Sequence, residues 1–179
     1  MRIVSRNKTP FIRSLLALII VSSGFSFACA ETGKSGLQLP RFVSLKSKKV
    51  NMRVGPGSEY QVEWMYIKRG LPVEIIQEFD NWRKIRDPQG NEGWILHSLL
   101  SGRRTAIISP WDRGKEGSLI SMLDAPDGSA KLKAQLQPGV IAKVNYCENQ
   151  WCELSAANAH GYVKQELLWG VYPDETFDN

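Results

Sequence analysis

The chain has 179 residues, of which 42% are hydrophobic and 23% are charged, and its formal net charge is +5. These proportions are typical of a globular protein, and 15 Gly and 9 Pro are too few for a collagen-like or low-complexity chain. Residues 1–30 carry four basic residues and no acid, so the remainder is almost neutral. Nucleic acid is therefore not an expected partner.

The beginning of the chain has the pattern of a cleaved signal peptide. A basic stretch precedes an apolar run of 14 residues, 14–27, which is short for a helix that spans a bilayer. Small residues flank Cys29, so cleavage between Ala30 and Glu31 is predicted. Lipidation of Cys29 is the alternative, but a serine stands three positions before it, where a bulky aliphatic residue is expected. The prediction is a periplasmic or secreted protein with no transmembrane segment in its mature chain.

Cys147 and Cys152 remain after this cleavage, and a disulfide is the default in an oxidising compartment. If Asn149 and Gln150 form a two-residue hairpin loop, the cysteines face each other with Cα atoms about 4.5 Å apart, which a disulfide can bridge. A thioredoxin-like motif has two intervening residues instead of four. A zinc site would need more ligands than the two histidines of the chain supply. We predict a structural disulfide and no metal site.

An internal repeat is the strongest architectural signal in the chain. Gly70 precedes Trp82 by 12 residues, and Gly139 precedes Trp151 by 12, so the two patterns are offset by 69 residues. A glycine followed by an aromatic residue, and then a Leu-Leu pair, comes after each tryptophan. Two homologous modules account for this pattern.

The same offset places Glu78 and Arg83 at the positions of the two cysteines. A cross-strand ion pair is therefore predicted where the second module has its disulfide. Because this pair lies near the end of a hairpin, we expect it to be exposed and to contribute only about 0 to 1 kcal/mol.

Short strands are predicted in the first module over residues 61–68, 71–79, 82–86 and 93–97. These segments are rich in β-branched and aromatic residues and are separated by turn-forming residues. No amphipathic helix of 12 or more residues is indicated after residue 31. Several short strands at this spacing favour small antiparallel barrels.

The first module also carries the motifs of a known family. Residues 51–60 read Asn-Met-Arg-Val-Gly-Pro-Gly-Ser-Glu-Tyr, and Trp82 and the pair Gly93-Trp94 follow. An N-x-R-x-G-P segment, a tryptophan and a late G-W pair resemble the bacterial SH3-like domain. The second module resembles a diverged copy that lacks the N-x-R-x-G-P segment. Together the modules resemble the exported two-module proteins of this type found in alphaproteobacteria.

This resemblance implies an all-β fold, with two tandem small SH3-like antiparallel barrels after the signal peptide. The predicted boundaries are a signal peptide over 1–30, a linker over 31–42, a first domain over 43–102, a diverged second domain over 105–172 and a C-terminal tail over 173–179. The family implies a module that binds, commonly to a cell-wall peptide or another envelope protein, and that does not catalyse. No cofactor is expected.

Five residues of the first module are candidate ligand contacts. Asn51 and Arg53 alternate with apolar residues, which places both polar side chains on one face of a strand. Arg53 could present two donors to a carboxylate such as a peptide C-terminus, or could hold the next turn by bonding backbone carbonyls. Tyr60, Trp64 and Trp82 are expected near the same loop mouth, where aromatic rings could line a shallow groove or fill the core.

Charge is distributed unevenly between the modules. Residues 32–104 contain thirteen Lys and Arg against seven Asp and Glu, whereas residues 105–179 contain six against ten. This asymmetry could steer the first module towards an anionic surface. It also supports an alternative function, a periplasmic protein-protein interaction or scaffold protein without cell-wall affinity. Such a protein would dock through cations that include Lys48, Lys49, Arg103 and Arg104.

No catalytic motif is recognised in the chain. Both cysteines of the mature chain are expected to be oxidised, which leaves no nucleophile for an NlpC-type cysteine peptidase of the kind that often accompanies these modules. No G-x-S-x-G, H-E-x-x-H, Walker or G-x-G-x-x-G pattern occurs. We expect no catalytic residues, and Trp169 and Tyr172 are expected to seal the C-terminal segment against a barrel.

Overall fold

The computed structural model describes residues 31–178. The predicted signal peptide and the lipidation alternative at Cys29 lie outside the described residues, and so does Ala30 at the predicted cleavage point. In the described part, short strands are joined by turns and by three 3-10 helices, His97–Leu99, Pro110–Asp112 and Gln165–Leu167. No helix there is long and apolar enough to cross a bilayer.

The strands fall into two domains and two terminal segments. The first domain contains β3 (Arg41–Leu45), β4 (Val50–Arg53), β5 (Val62–Tyr66), β6 (Pro72–Phe79), β7 (Trp82–Arg86), β8 (Glu92–Leu96) and β9 (Leu100–Ser101). The second domain contains β10 (Thr105–Ile108), β11 (Ile120–Leu123), β12 (Leu132–Leu136), β13 (Ile141–Glu148), β14 (Trp151–Ala156), β15 (Ala159–Lys164) and β16 (Leu168–Trp169). The terminal strands are β1 (Glu31–Thr32), β2 (Gln38–Leu39) and β17 (Phe177–Asp178).

Both domains have the same strand order. The first antiparallel sheet runs β5-β4-β8-β7-β6-β3-β9, and the second runs β12-β11-β15-β14-β13-β10-β16. Each strand of the second sheet occupies the position of the first-sheet strand whose number is lower by seven, so that β12 corresponds to β5. Two homologous modules require this correspondence. The prediction of an all-β fold with two tandem SH3-like domains is confirmed.

Each sheet buries its own apolar core, and alternation along the strands decides which side chains enter it. In β4, Val50 and Met52 are buried, whereas Asn51 and Arg53 point outwards. The core of the second domain includes both Cys147 and Cys152. Their predicted disulfide is confirmed, with the cysteines paired across β13 and β14 and their Cα atoms 4.1 Å apart.

The glycine before each late aromatic residue is required by a close approach of two strands. A Cβ atom at Gly93 would lie 2.5 Å from Met52 Cγ and 3.0 Å from the carbonyl oxygen of Arg53. Gly161 is the equivalent residue of the second domain, and a Cβ atom added to it would lie 2.8 Å from Met122 Cγ. The G-W motif therefore lets β8 lie against β4, the strand that carries the candidate site.

The cross-strand pair of Glu78 and Arg83 forms as predicted, with 3.2 Å between Oε1 and Nε. The expectation that it is exposed was wrong, because the side chain of Glu78 is only 1% exposed. The N-terminal segment folds over it, and both the backbone N–H and the hydroxyl of Ser35 donate to its carboxylate at 2.7 Å. Arg41 donates to the same carboxylate at 2.6 Å.

In each domain, a terminal segment of the chain covers the equivalent hairpin. In the first domain the covering residues belong to the predicted linker 31–42, which contains β1, β2 and the start of β3. In the second domain β17 pairs with β13, and Phe177 lies opposite Cys147. The hairpin end that was expected to be exposed in the first domain is therefore covered, and so is the equivalent hairpin of the second domain.

The C-terminal segment joins the two domains. Trp169 and Tyr172 pack on Phe42 of the first domain, with ring centroids 5.1 and 4.7 Å away. The hydroxyl of Tyr172 donates to Glu74 at 2.9 Å, and burial, with the nearby Glu74 carboxylate, raises the pKa of this tyrosine. Trp169 and Tyr172 therefore pack against the first domain, and their contacts attach the second domain to it.

Candidate functional site

An open groove of about 800 Å³ lies on the outer face of the first domain. We call it the first-domain groove. Its walls are Asn51 and Arg53 of β4, the loop residues 56–59, Met65 of β5 and the segment 80–82 at the turn between β6 and β7. Residues far apart in the chain meet here because β4 pairs with both β5 and β8, and β8 pairs in turn with β7, which begins at Trp82.

The strand β4 supplies the polar floor of this groove. Its inward residues are held in the core, so Asn51 and Arg53 both face the groove. Met65 lies opposite Asn51 in the neighbouring strand and places an apolar side chain beside the amide. The prediction that the two polar side chains share one face is confirmed.

Arg53 holds the loop that follows it. Its Nη1 donates to the carbonyl oxygen of Tyr60 at 2.5 Å, while the N–H of Val54 donates to Gln61 at 3.1 Å. The side chain of Arg53 makes no other hydrogen bond or ion pair within residues 31–178. The structural role considered from the sequence is thus present, and Nη2 and Nε have no hydrogen-bond partner among the described residues.

Trp82 forms part of the wall, directly after the turn made by Asp80 and Asn81. Asp80 adopts a left-handed backbone with φ 46°, and its carbonyl accepts a hydrogen bond from Arg83 at 2.9 Å. The N–H of His97 donates to the carbonyl of Asn81 at 2.9 Å. These bonds tie the turn to the rest of the domain and hold the half-buried indole of Trp82 at the groove.

Two of the five predicted contacts do not line the groove. Tyr60 is exposed, and its ring lies against Gly55 within the loop. Trp64 is 54% exposed on the edge strand β5, where it pairs with Met52 and so lies on the opposite face from Asn51. Strand alternation explains this outcome, since Trp64 and the groove residue Met65 are adjacent in the chain and must point to opposite faces.

Several groove residues were missed by the sequence analysis. They include Lys49, Glu59, Met65, Asp80, Asn81 and Leu96. The Asp-Asn turn before the tryptophan was a usable signal, because such a turn brings its residues beside the strand that follows. The contribution of Met65 depends on the register between β4 and β5, for which the sequence carries no direct signal.

The electrostatic character of the groove is mixed. Lys49 and Arg53 supply positive charge, and Glu59 and Asp80 supply negative charge. Two asparagines add uncharged donors and acceptors. No group of three or more His, Cys, Asp or Glu side chains within residues 31–178 could hold a metal ion. The groove therefore suits a ligand that carries amide groups and charges of both signs.

The second domain has a smaller cavity at the equivalent tryptophan. This cavity, of about 370 Å³, is lined by Trp151 and by residues of the C-terminal segment, including Val171 and Pro173. Arg53 pairs with Trp94 in the first domain, and the matching pair in the second is Leu123 with Tyr162. The arginine of the groove thus has no counterpart in the second domain.

The chain is similar in sequence to known proteins. The family model described as bacterial SH3 domain matches the chain twice, over residues 46–102 and 116–170. YrvJ of Bacillus subtilis (strain 168), which is named as an N-acetylmuramoyl-L-alanine amidase, is 24% identical over 168 residues. That alignment covers 90% of this chain but only 31% of YrvJ, so the chain spans about a third of its relative.

Two solved structures show weaker likeness. NlpC2 and NlpC1 from Trichomonas vaginalis are 10% and 11% identical to this chain, with TM-scores of 0.31 and 0.32. The matches cover 74% and 78% of this chain and 49% and 48% of those proteins. At such TM-scores, no property of the two proteins transfers to this chain.

Proposed function

Because this chain belongs to the bacterial SH3 domain family, we propose that it is a non-catalytic binding protein that recognises a cell-envelope component through the first-domain groove. The observation that carries the proposal is that Asn51, Arg53 and Trp82 line one open groove. The ligand class is a cell-wall peptide or a peptide segment of an envelope protein. A periplasmic or secreted location is part of the proposal.

The chemistry of the groove favours a peptide. The free nitrogens of Arg53 match a carboxylate, which accepts two parallel hydrogen bonds from a guanidinium. The indole of Trp82 offers a large flat surface at a low cost in conformational entropy. Glu59 and Asp80 can meet an ammonium group, and the asparagine side chains can pair with amides. The likeness to a protein named as an N-acetylmuramoyl-L-alanine amidase supports a role at the cell envelope.

The absence of catalysis is also proposed. Cys147 and Cys152 are joined in a disulfide, so neither is a thiolate nucleophile. No histidine or cysteine is among the described residues that line the first-domain groove. A wide open groove also excludes water poorly, whereas catalytic sites gain much of their electrostatic strength by excluding it.

Co-sedimentation with purified peptidoglycan sacculi tests the proposal. We expect the chain from Glu31 to Asn179 to pellet at moderate salt, and Trp82→Ala to weaken retention roughly 30-fold, as loss of a central tryptophan contact does. Trp151→Ala is the matched control, because it removes the equivalent half-buried tryptophan of the second domain. Equal retention of wild type and Trp82→Ala would contradict the assignment of the groove.

The alternative function, a periplasmic interaction or scaffold protein without cell-wall affinity, has its own supporting observation. Lys48, Lys49 and Arg103 are exposed, whereas Arg104 is engaged with Glu175 at 2.8 Å. Failure of the chain to pellet with sacculi, together with salt-sensitive capture of an envelope protein that survives Trp82→Ala, would favour this function.

A further inference from the structure

Three segments distant in sequence meet at one end of the first domain. The N–H of Gly70 donates to the carbonyl of Leu45 at 2.8 Å, and the N–H of Leu45 donates to Leu71 at 2.9 Å. The hydroxyl of Ser44 donates to the carbonyl of Arg103 at 2.8 Å. These bonds hold residues 45–50, 66–71 and 100–105 together as one surface, which we call the basic end.

The basic end concentrates positive charge. Its exposed cations are Lys46, Lys48, Lys49, Lys68, Arg69 and Arg103. No acidic residue occurs in the three segments, and none of these six cations is part of an ion pair within the described part of the chain. The neighbouring β6–β7 hairpin differs, since its cations Arg83, Lys84 and Arg86 all pair with glutamates.

An apolar side chain stands among these cations. Ile67 is 74% exposed, more than any other large hydrophobic residue of the described chain. Val50 pairs with Tyr66, so Lys49 and Ile67 lie opposite each other at the open end of β4 and β5. Lys68 and Arg69 follow Ile67 directly. An exposed aliphatic side chain with cations beside it has the composition of surfaces that bind the lipid–water interface.

We propose that the basic end docks on a bilayer surface that contains anionic phospholipid, with Ile67 entering the interfacial layer. Lys and Arg side chains near such a surface each add attraction to the lipid phosphates, and salt screens this attraction. The aliphatic side chain distinguishes a lipid surface from a soluble polyanion, because only the lipid offers an apolar layer to receive it. Lys49 lies on both surfaces, but Ile67 and the other five cations of the basic end do not line the first-domain groove, and the contact does not depend on the ligand proposed there.

Vesicle co-sedimentation tests this inference. The chain from Glu31 to Asn179 is mixed with vesicles of phosphatidylcholine containing phosphatidylglycerol, and with vesicles of phosphatidylcholine alone. We expect binding only to the anionic vesicles, and Lys68→Gln/Arg69→Gln should weaken it roughly 30-fold at low salt. Lys131→Gln/Lys133→Gln is the matched control, because it removes two exposed cations of the second domain, one just before β12 and one within it, and should leave binding unchanged.

The variant Ile67→Ser separates a lipid surface from a charge-only contact. It keeps every cation and should weaken binding to the anionic vesicles roughly tenfold, because an aliphatic side chain no longer leaves water. Full binding by Ile67→Ser would overturn the lipid proposal and indicate docking on a polyanion. The proposal would also be overturned if the chain bound neutral and anionic vesicles equally, or if Lys131→Gln/Lys133→Gln weakened binding as much as Lys68→Gln/Arg69→Gln. Trp82→Ala should bind vesicles normally, so failure of the groove proposal would be seen separately.

Discussion

Glu78 is the buried carboxylate beneath the N-terminal segment, and Glu78→Gln tests whether it holds that segment in place. Burial raises its pKa, but the hydrogen bonds from Ser35 and Arg41 and the charge of Arg83 outweigh this effect and lower the pKa from 4.5 to about 2. The carboxylate is therefore more favourable in the folded protein than in the unfolded chain. A shift of this size corresponds to roughly 3 kcal/mol of stability at neutral pH.

The direction of the pH dependence follows from this lowered pKa. The stabilisation by Glu78 is fully present above the unfolded pKa of 4.5 and is lost as the pH falls towards about 2. At neutral pH, Glu78→Gln should lower the free energy of unfolding by roughly 3 kcal/mol, because it leaves the guanidinium groups of Arg41 and Arg83 without their carboxylate. Between pH 5 and pH 2, the difference between wild type and variant should shrink towards zero.

Urea denaturation at a series of pH values measures this difference, and Glu92→Gln is its matched control. Glu92 also pairs with two cations, Lys84 at 2.8 Å and Arg86 at 2.9 Å, but its side chain is 32% exposed. Glu92→Gln should therefore cost at most about 1 kcal/mol. Equal losses in the two variants at neutral pH, or a Glu78→Gln difference that does not change with pH, would refute the reasoning from burial.

The remaining predictions concern the disulfide, the contact between the domains and the hallmark glycine. Cys147→Ser/Cys152→Ser should lower the free energy of unfolding in urea by roughly 2 kcal/mol, since the bridge closes a short loop in the unfolded chain. Tyr172→Phe removes a hydrogen bond to a carboxylate and should lower the free energy of unfolding by about 2 kcal/mol. Thermal unfolding measures this loss, and an unchanged midpoint would argue against a firm contact between the domains. Gly93→Ala should cost roughly 1 to 3 kcal/mol through overpacking, while the control Gly102→Ala, where a Cβ meets no atom within 4 Å, should be neutral.

Local patterns in the sequence were sufficient for the strands, the repeat and the disulfide. Alternation of apolar residues defines a strand and the face it buries, as β4 shows with Val50 and Met52 inside. A two-residue turn fixes which residues face each other, so Cys147 and Cys152 pair as predicted. These features depend on residues near one another in the chain, or on a pattern that occurs twice.

The composition of the groove was predictable only in part. Asn51 and Arg53 share a face because both lie in one strand. Trp64 was grouped with them on the basis of its chemical type, but the register between β4 and β5 places it on the other face. Register and the approach of distant turns are set by the packing of the whole domain, which the spacing of aromatic residues does not encode.

What the sequence by itself determined was the all-β class, the duplication and the pairing of Glu78 with Arg83. Only the tertiary structure decided that Glu78 is buried, because the residues that cover it come from a segment without hydrophobic periodicity. Only the tertiary structure showed that Tyr172 fastens the second domain to the first. Contacts between distant segments arise when each domain buries the surface that its neighbour leaves exposed, and neither partner segment carries a local pattern that specifies the other.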